Sequence, residues 1–171
     1  MPGGVTRPYE VSTADALLAR TFAGTWRRRE TIGADAREAL REILEAFVAD
    51  GGPVPLASLD ARRRESVALL DAEDLVAVTG GAVVLAYPFS AAPTGFAVTL
   101  PGGRQRHACC AIDALGVAPL LGRPARVRAR CHRSGAPIDL DVAPAGVRGD
   151  PGIMVWVGER RDVREKSCAS L

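Results

Sequence analysis

Four cysteines are the residues of this 171-residue chain whose types and spacing best suit chemistry. Cys109 and Cys110 are adjacent, Cys131 lies downstream, and Cys168 comes near the end of the sequence. This spacing does not resemble the disulfide framework of a small secreted protein, so we expect free thiols in a reducing compartment. Free thiols act as nucleophiles or as ligands of soft metal ions. The sequence therefore predicts thiol reactivity or soft-metal binding.

An aspartate accompanies the paired cysteines. Asp113 follows Cys110 by three residues and Cys109 by four, and both spacings put a carboxylate and a thiol on one face of a helix. A neighbouring carboxylate disfavours a thiolate by like-charge repulsion, so Asp113 is not a simple activator of the thiol. The pairing makes chemical sense if the thiol binds a cationic soft metal while the carboxyl group handles a proton.

The other two cysteines differ in their surroundings. Cys131 continues the apolar face of an alternating segment, so we expect a buried structural residue. His132 beside it, at a strand end, is a candidate metal ligand, but a loop histidine is the favoured interpretation. Cys168 lies in a polar segment in which Arg164 and Lys166 would favour its thiolate. Together with Cys110 it would form a clamp of two thiolates.

The second half of the chain is rich in predicted strands. We expect strands over 96–100 and 153–157, and a short helix over 107–115 that Gly116 and Pro119 limit. The alternating segments 125–131 and 138–142 predict a hairpin. If their apolar faces match, the pairs are Cys131 with Ile138, Ala129 with Leu140, Arg130 with Asp139, and Arg128 with Asp141.

The first half predicts helices followed by a hairpin. Capping signals precede a helix after Ser12 and a second over about 35–48, and a third helix is expected to start at Asp60. Two apolar runs then flank a turn at 79–81. This order suggests a winged helix-turn-helix with Arg62–Arg64 on the recognition helix. The net charge of only +2 favours the other interpretation of these arginines, a solvated helix face, so DNA binding is disfavoured.

Composition limits the class of protein. The hydrophobic fraction of 47% and the charged fraction of 25% exclude wholesale disorder. No apolar run approaches the roughly 20 residues that a membrane helix needs, and the N-terminus lacks the apolar centre of a signal peptide, so we expect a cytoplasmic protein. Neither a phosphate-binding loop nor a dinucleotide fingerprint is found.

One stretch resembles a known family. The segment His107-Ala-Cys-Cys-Ala-Ile-Asp-Ala-Leu-Gly-Val-Ala-Pro-Leu-Leu-Gly-Arg123 is similar to the active-site segment of the bacterial organomercurial (alkylmercury) lyases, the MerB-like family, where Cys-Ala-Leu-Asp-Thr-Leu precedes Phe-Pro-Ala-Leu-Leu-Gly. The next stretch, 125–138, is similar to the family's strand, cysteine and Thr-Gly-X-Pro turn. Val142-Ala-Pro144 and Cys168 follow in matching order. The resemblance is strong over about 93–157.

The resemblance implies an α+β fold: an N-terminal helical and winged-helix-like region, 1–92, and an antiparallel or mixed strand-rich lyase-like domain, 93–171. Family members continue past the position of Cys168 with a strand and a helix, so we expect the C-terminal part to be missing or shortened. By the same resemblance Cys110 and Cys168 match the two catalytic, mercury-binding cysteines and Asp113 the catalytic aspartate. Cys131 matches a structural cysteine, and Cys109, where the family often has an aromatic residue, is a possible accessory thiol.

The activity implied is protonolysis of a carbon–mercury bond, a role in mercury resistance, with no organic cofactor. The product Hg²⁺ would stay on two cysteines until external thiols or a mercuric reductase remove it. The alternative from the residues alone is a protein that binds or senses Hg²⁺ or Cu⁺ without turnover, with the winged unit contacting DNA. A third alternative is other carbon or thiol chemistry.

Overall fold

The computed structural model describes residues 11–13, 16, 19, 30–150 and 152–157. The chain divides into two units, 1–33 and 34–171, and the elements below all belong to the second. Most of the helix predicted after Ser12, and all of the segment around Cys168, lie outside the described residues.

Two helices come first in this unit. Helix α1 spans Ala34–Ala49 and buries one face, and α2 spans Ala61–Ala72. Asp60 caps α2, because its Oδ1 accepts a hydrogen bond from Arg63 N at 2.8 Å. Both predicted helices are confirmed. The buried face of α1 consists of Ala36, Ala39, Ile43 and Phe47, the spacing expected of an amphipathic helix.

A hairpin follows the two helices. Strand β1 (Val54–Pro55) and a short 3-10 turn (Leu56–Ser58) precede α2, and the hairpin pairs β2 (Val76–Thr79) with β3 (Ala82–Ala86). Its turn residues Gly80 and Gly81 have φ of 59° and 76°, both in the left-handed region that glycine enters without strain. The predicted hairpin is confirmed, whereas the winged-helix assignment stays a prediction.

The remaining strands extend one antiparallel sheet. They are β4 (Phe89–Ser90), β5 (Ala97–Thr99), β6 (Gln105–Ala108), β7 (Ala125–Arg130), β8 (Pro137–Ala143) and β9 (Gly146–Arg148). The strand order is β1-β3-β4-β6-β5-β7-β8-β9, with β2 also paired to β3. The fold is therefore α+β, as predicted. The sheet runs on across residue 92, and the proposed division into 1–92 and 93–171 stays a prediction.

The helix predicted over 107–115 is wrong at both ends. Residues 107 and 108 belong to β6, and the helix, α3, spans Ala111–Leu121 with Pro119 inside it. His107 pairs with Ser90 of β4 and with Ala97 of β5, so ladder hydrogen bonds keep the chain extended there. Pro119 has no N–H to donate to Leu115 O but does not end the helix, and Gly122, with φ of 62°, closes α3 in the left-handed conformation.

The predicted β7–β8 hairpin forms with a different register. Ala129 pairs with Ile138, Val127 with Leu140, and Arg128 with Asp139, a shift of two residues from the predicted pairs. The reason lies in the loop, where Cys131 N donates to Ala136 O and Gly135 N donates to Cys131 O, both at 2.8 Å. Cys131 therefore belongs to the loop and does not face Ile138.

The strand predicted over 153–157 is also wrong, because these residues are irregular. Met154 and Trp156 are 70% and 78% exposed. An alternating apolar pattern forms a strand only where a partner strand supplies the hydrogen bonds. Among the helices in the described part of the chain, none is long and apolar enough to cross a membrane.

Candidate active site at the N-terminus of α3

Cys110 is the residue that caps helix α3. Its backbone is extended, with φ of −148° and ψ of −177°, and its Sγ accepts a hydrogen bond from Asp113 N at 3.5 Å. In return, the thiol of Cys110 donates to Asp113 Oδ2 at 3.0 Å. The first of these two hydrogen bonds is the usual N-cap bond, whereas the second joins the two side chains. The helix start thus brings the predicted thiol and carboxylate into direct contact.

Burial and Asp113 both keep the Cys110 thiol protonated. Its side chain is half-buried, and removal from water together with the charge and hydrogen bond of Asp113 raises the pKa of Cys110 from 9.0 to about 12. Hydrogen bonds from the backbone N–H groups of Asp113 and Ile112 lower the pKa of Cys110, but their effect is smaller than that of burial and the Asp113 carboxylate. At neutral pH the pair is therefore a thiol hydrogen-bonded to a carboxylate.

Strand β6, which precedes helix α3, positions Cys110. Ala108 is fully buried at the end of β6, and its N–H donates to Phe96 O at 3.0 Å. The N–H of Cys109 donates to Pro88 O at 3.0 Å on the other side. Cys110 therefore follows a segment held by hydrogen bonds from both neighbouring strands. Cys109 itself is half-buried and has no disulfide.

Arg106, which the sequence reasoning missed, ties this strand to helix α1. It is only 9% exposed, and its guanidinium donates to Phe47 O, Val48 O and Ala49 O at the C-terminus of α1 and to Gln105 O. A buried cation at the negative end of a helix is favourable because it satisfies the last carbonyl groups. An arginine at an inward-facing strand position was the available signal.

Cys131 is not the core residue predicted from the alternation. It lies in the β7–β8 loop and is half-buried. A hydrogen bond from Ser134, with further help from backbone N–H groups of Ser134 and Arg133, lowers the pKa of Cys131. The two cysteines differ as a result: the Cys110 thiol is held protonated, whereas the surroundings of Cys131 favour its thiolate.

The predicted site residues are brought together in part. Cys110 and Asp113 are in contact, Cys109 adjoins them in sequence, and Cys168 lies outside the described residues. No group of three or more histidine, cysteine, aspartate or glutamate side chains able to hold a metal ion occurs within 30–150 and the other described positions.

The arginines of α2 have partners within the protein. Arg62 makes two hydrogen bonds to Asp35, the shorter at 2.6 Å, and Arg64 donates to Leu59 O. Arg63 binds Glu42 at 2.8 Å and Glu38 at 3.0 Å. Two of the three guanidinium groups thus link α2 to α1, which leaves the interpretation as a DNA-recognition helix without support.

Comparison with known proteins points to one family. The alkylmercury lyase (MerB) family profile matches residues 89–170. An alkylmercury lyase of Pseudomonas putida is 47% identical over 45 residues, which are 26% of this chain and 21% of that protein. One of Streptomyces lividans is 45% identical over 42 residues, 25% of this chain and 20% of that protein. These matched segments span about a fifth of the length of the curated relatives.

The fold is similar to that of a solved structure. The crystal structure of the mercury-bound form of MerB2 has a TM-score of 0.60 and 24% sequence identity to this chain, and the match covers 74% of this chain and 64% of that one. The family match includes Cys110, Asp113 and Cys168. Residues 89–170 are therefore similar in sequence to the alkylmercury lyase family, and the fold is similar to that of MerB2.

Proposed function

We propose that this protein is an enzyme that cleaves the carbon–mercury bond of organomercurials by protonolysis. The single observation that carries the proposal is the contact between the Cys110 thiol and Asp113 Oδ2, 3.0 Å apart, within the segment that matches the alkylmercury lyase family. A soft ligand and a group able to accept and return a proton are the two components that this reaction requires.

The first step is capture of the substrate cation R–Hg⁺ by Cys110. As the sulfur–mercury bond forms, the thiol proton moves along the existing hydrogen bond to Asp113 and yields the neutral carboxylic acid. Capture therefore does not need a free thiolate beforehand, which matters because the pKa of Cys110 is raised to about 12. Thiolates are the softest ligands that a protein offers, so mercury remains bound to the sulfur.

The second step uses a second thiolate, which we assign to Cys168. Its binding to mercury raises the coordination number and increases the electron density on the carbon. The Asp113 carboxylic acid then donates its proton to that carbon, the carbon–mercury bond breaks, and R–H leaves. Hg²⁺ stays between two sulfurs, and Asp113 returns to its carboxylate form. The reaction consumes no organic cofactor, and an external thiol or a mercuric reductase would remove the metal.

The remaining cysteines have secondary roles in this proposal. Cys109 adjoins Cys110 in sequence and would act as an accessory thiol for the metal. Cys131 has a structural role in the β7–β8 loop, whose backbone hydrogen bonds it helps to form. We further propose that the protein acts in the cytoplasm, where a reducing environment keeps such thiols free.

Methane release from methylmercury, measured by gas chromatography with excess external thiol, tests the proposal. We expect Cys110→Ala and Cys168→Ala to abolish release. Asp113→Ala should lower the rate by roughly 100-fold or more, the usual effect of losing a general acid. Cys131→Ala is the matched control and should keep its activity per folded molecule. Full activity of Cys110→Ala or Cys168→Ala would refute the assignment. Bound mercury without methane would favour the alternative, a soft-metal binding or sensing protein.

A further inference from the structure

The carbonyl group of Ala108, two residues before Cys110, is held by a side chain from the preceding loop. Thr94 Oγ1 donates to Ala108 O at 2.6 Å and accepts from Phe96 N at 3.1 Å. Thr94 N also approaches His107 Nδ1 at 3.4 Å. The threonine therefore contacts two consecutive residues of β6 immediately before the chain turns into α3.

The peptide between Ala108 and Cys109 is fixed at both of its polar atoms. Its carbonyl oxygen accepts from Thr94, and its N–H donates to Pro88 O at 3.0 Å. A peptide unit is planar, so fixing both groups fixes the orientation of the plane and with it the direction in which the chain leaves β6. Cys110, the residue directly after this peptide unit, carries the thiol that contacts Asp113.

We infer that Thr94 is a positioning residue for Cys110: through Ala108 O it sets the direction of the chain that presents the thiol to Asp113. Its role in turnover rests on the proposed function, whereas its role in presenting the thiol does not. Without the hydroxyl group, the carbonyl of the buried Ala108 loses a short, partly buried hydrogen bond, and the helix start gains freedom to move. Reactive groups tolerate little displacement, and a shift of about 1 Å costs up to roughly 100-fold in rate.

Thr94→Val, Thr94→Ser and Thr99→Val test the inference in the full chain. Valine keeps the shape of threonine and removes the hydroxyl group, and serine keeps the hydroxyl group. Thr99 is the matched control, because it pairs with Gln105 at the opposite end of β6 from Ala108. The first readout is the rate of iodoacetamide labelling of Cys110 relative to Cys131, in a Cys109→Ser background. There Cys110 is the one thiol of the tryptic peptide 107–126, and cleavage after Arg130 and Arg133 isolates Cys131.

We expect Thr94→Val to raise the ratio of Cys110 to Cys131 labelling about threefold or more, because local opening exposes the helix start. Thr94→Ser and Thr99→Val should leave the ratio unchanged. In chains that keep Cys109, methane release by Thr94→Val should lose kcat about tenfold while KM changes little. An unchanged labelling ratio, or equal acceleration of both cysteines through general loosening, would overturn the inference. A changed ratio in a protein whose wild type releases no methane would uphold the positioning role and reject the proposed function.

Discussion

Replacement of Asp113 by asparagine should make the Cys110 thiol more acidic and more reactive. Asparagine has nearly the same shape as aspartate, so the backbone hydrogen bond from residue 113 to Cys110 Sγ can remain. What disappears is the negative charge beside the sulfur and the carboxylate that accepts the thiol proton at 3.0 Å. The variant therefore isolates the electrostatic effect of Asp113 from its structural effect.

The size of the change follows from the causes of the shift. The pKa of Cys110 lies at about 12 against an ordinary value of 9.0, and burial is the largest single cause, followed by the charge of Asp113 and by its hydrogen bond. Each unit of pKa changes the thiolate fraction about tenfold at a pH below both values. Since burial persists in the variant, we expect Asp113→Asn to recover only part of the difference, an increase in the thiolate fraction of about tenfold or more at pH 8.

The assay is iodoacetamide alkylation of Cys110 between pH 7 and pH 10, in the Cys109→Ser background and with peptide mapping. Cys131 is an internal control, because its lowered pKa comes from Ser134 and the backbone of its own loop. Its rate should be the same in both proteins. If the alkylation profile of Cys110 is identical with and without the charge at position 113, then the carboxylate does not control the thiol and the proposed proton transfer loses its basis.

The remaining predictions concern stability. Arg106→Met removes the donors for the carbonyl groups of Phe47, Val48 and Ala49 and should lower the free energy of unfolding by about 2–4 kcal/mol, measured in urea; an unchanged midpoint would contradict the capping role. Gly122→Ala places a side chain at a φ of 62° and should cost about 1 kcal/mol in the same measurement. Because the folded pKa of Cys110 exceeds 9.0, its protonated thiol stabilises the fold below pH 9 and this contribution is lost as the pH rises towards 12. Thermal melts over that range should show a steeper decline than in Asp113→Asn.

Local signals in the sequence predicted the elements that depend on local interactions. The apolar spacing of α1, the aspartate before α2 and the glycine pair of the hairpin all act within a few residues, and each element is present. Local sequence signals alone predict a helix at residues 107–109, because they do not include the strands that pair with this segment. The actual partners of these residues, Pro88, Ser90 and Ala97, lie about ten to twenty residues away and belong to other strands.

The β7–β8 register shows a second limit. Alternation has a period of two, so a shift of two residues leaves every apolar side chain on the same face. The choice between such registers therefore depends on the loop, where the hydrogen bonds of Cys131 with Gly135 and Ala136 decide it. Arg106 and Thr94 were missed for a related reason, since their contacts join residues that are 57 to 59 and 14 positions apart.

The sequence predicts that Cys110 and Asp113 form a pair, but it does not predict how the two residues are arranged at the helix start. Three-residue spacing between Cys110 and Asp113 suggested a shared helix face, whereas the thiol is the cap and Asp113 is the third residue of the helix. The same spacing is that of an N-cap residue and the third residue of a helix, and that interpretation would have predicted the hydrogen bond from Asp113 N to Cys110 Sγ.

The protonated state of Cys110 distinguishes between the kinds of thiol chemistry that the sequence leaves open. A helix N-terminus normally lowers the pKa of a cysteine, and enzymes that use a nucleophilic thiolate exploit this effect. Here burial and Asp113 outweigh the helix and raise the pKa of Cys110 to about 12, so at neutral pH the sulfur keeps its proton and the negative charge of the pair lies on Asp113. A nucleophilic mechanism gains nothing from that. A reaction that replaces a proton by a soft cation and then delivers the same proton to carbon uses a protonated thiol beside a proton acceptor, and the contact between Cys110 and Asp113 favours that chemistry.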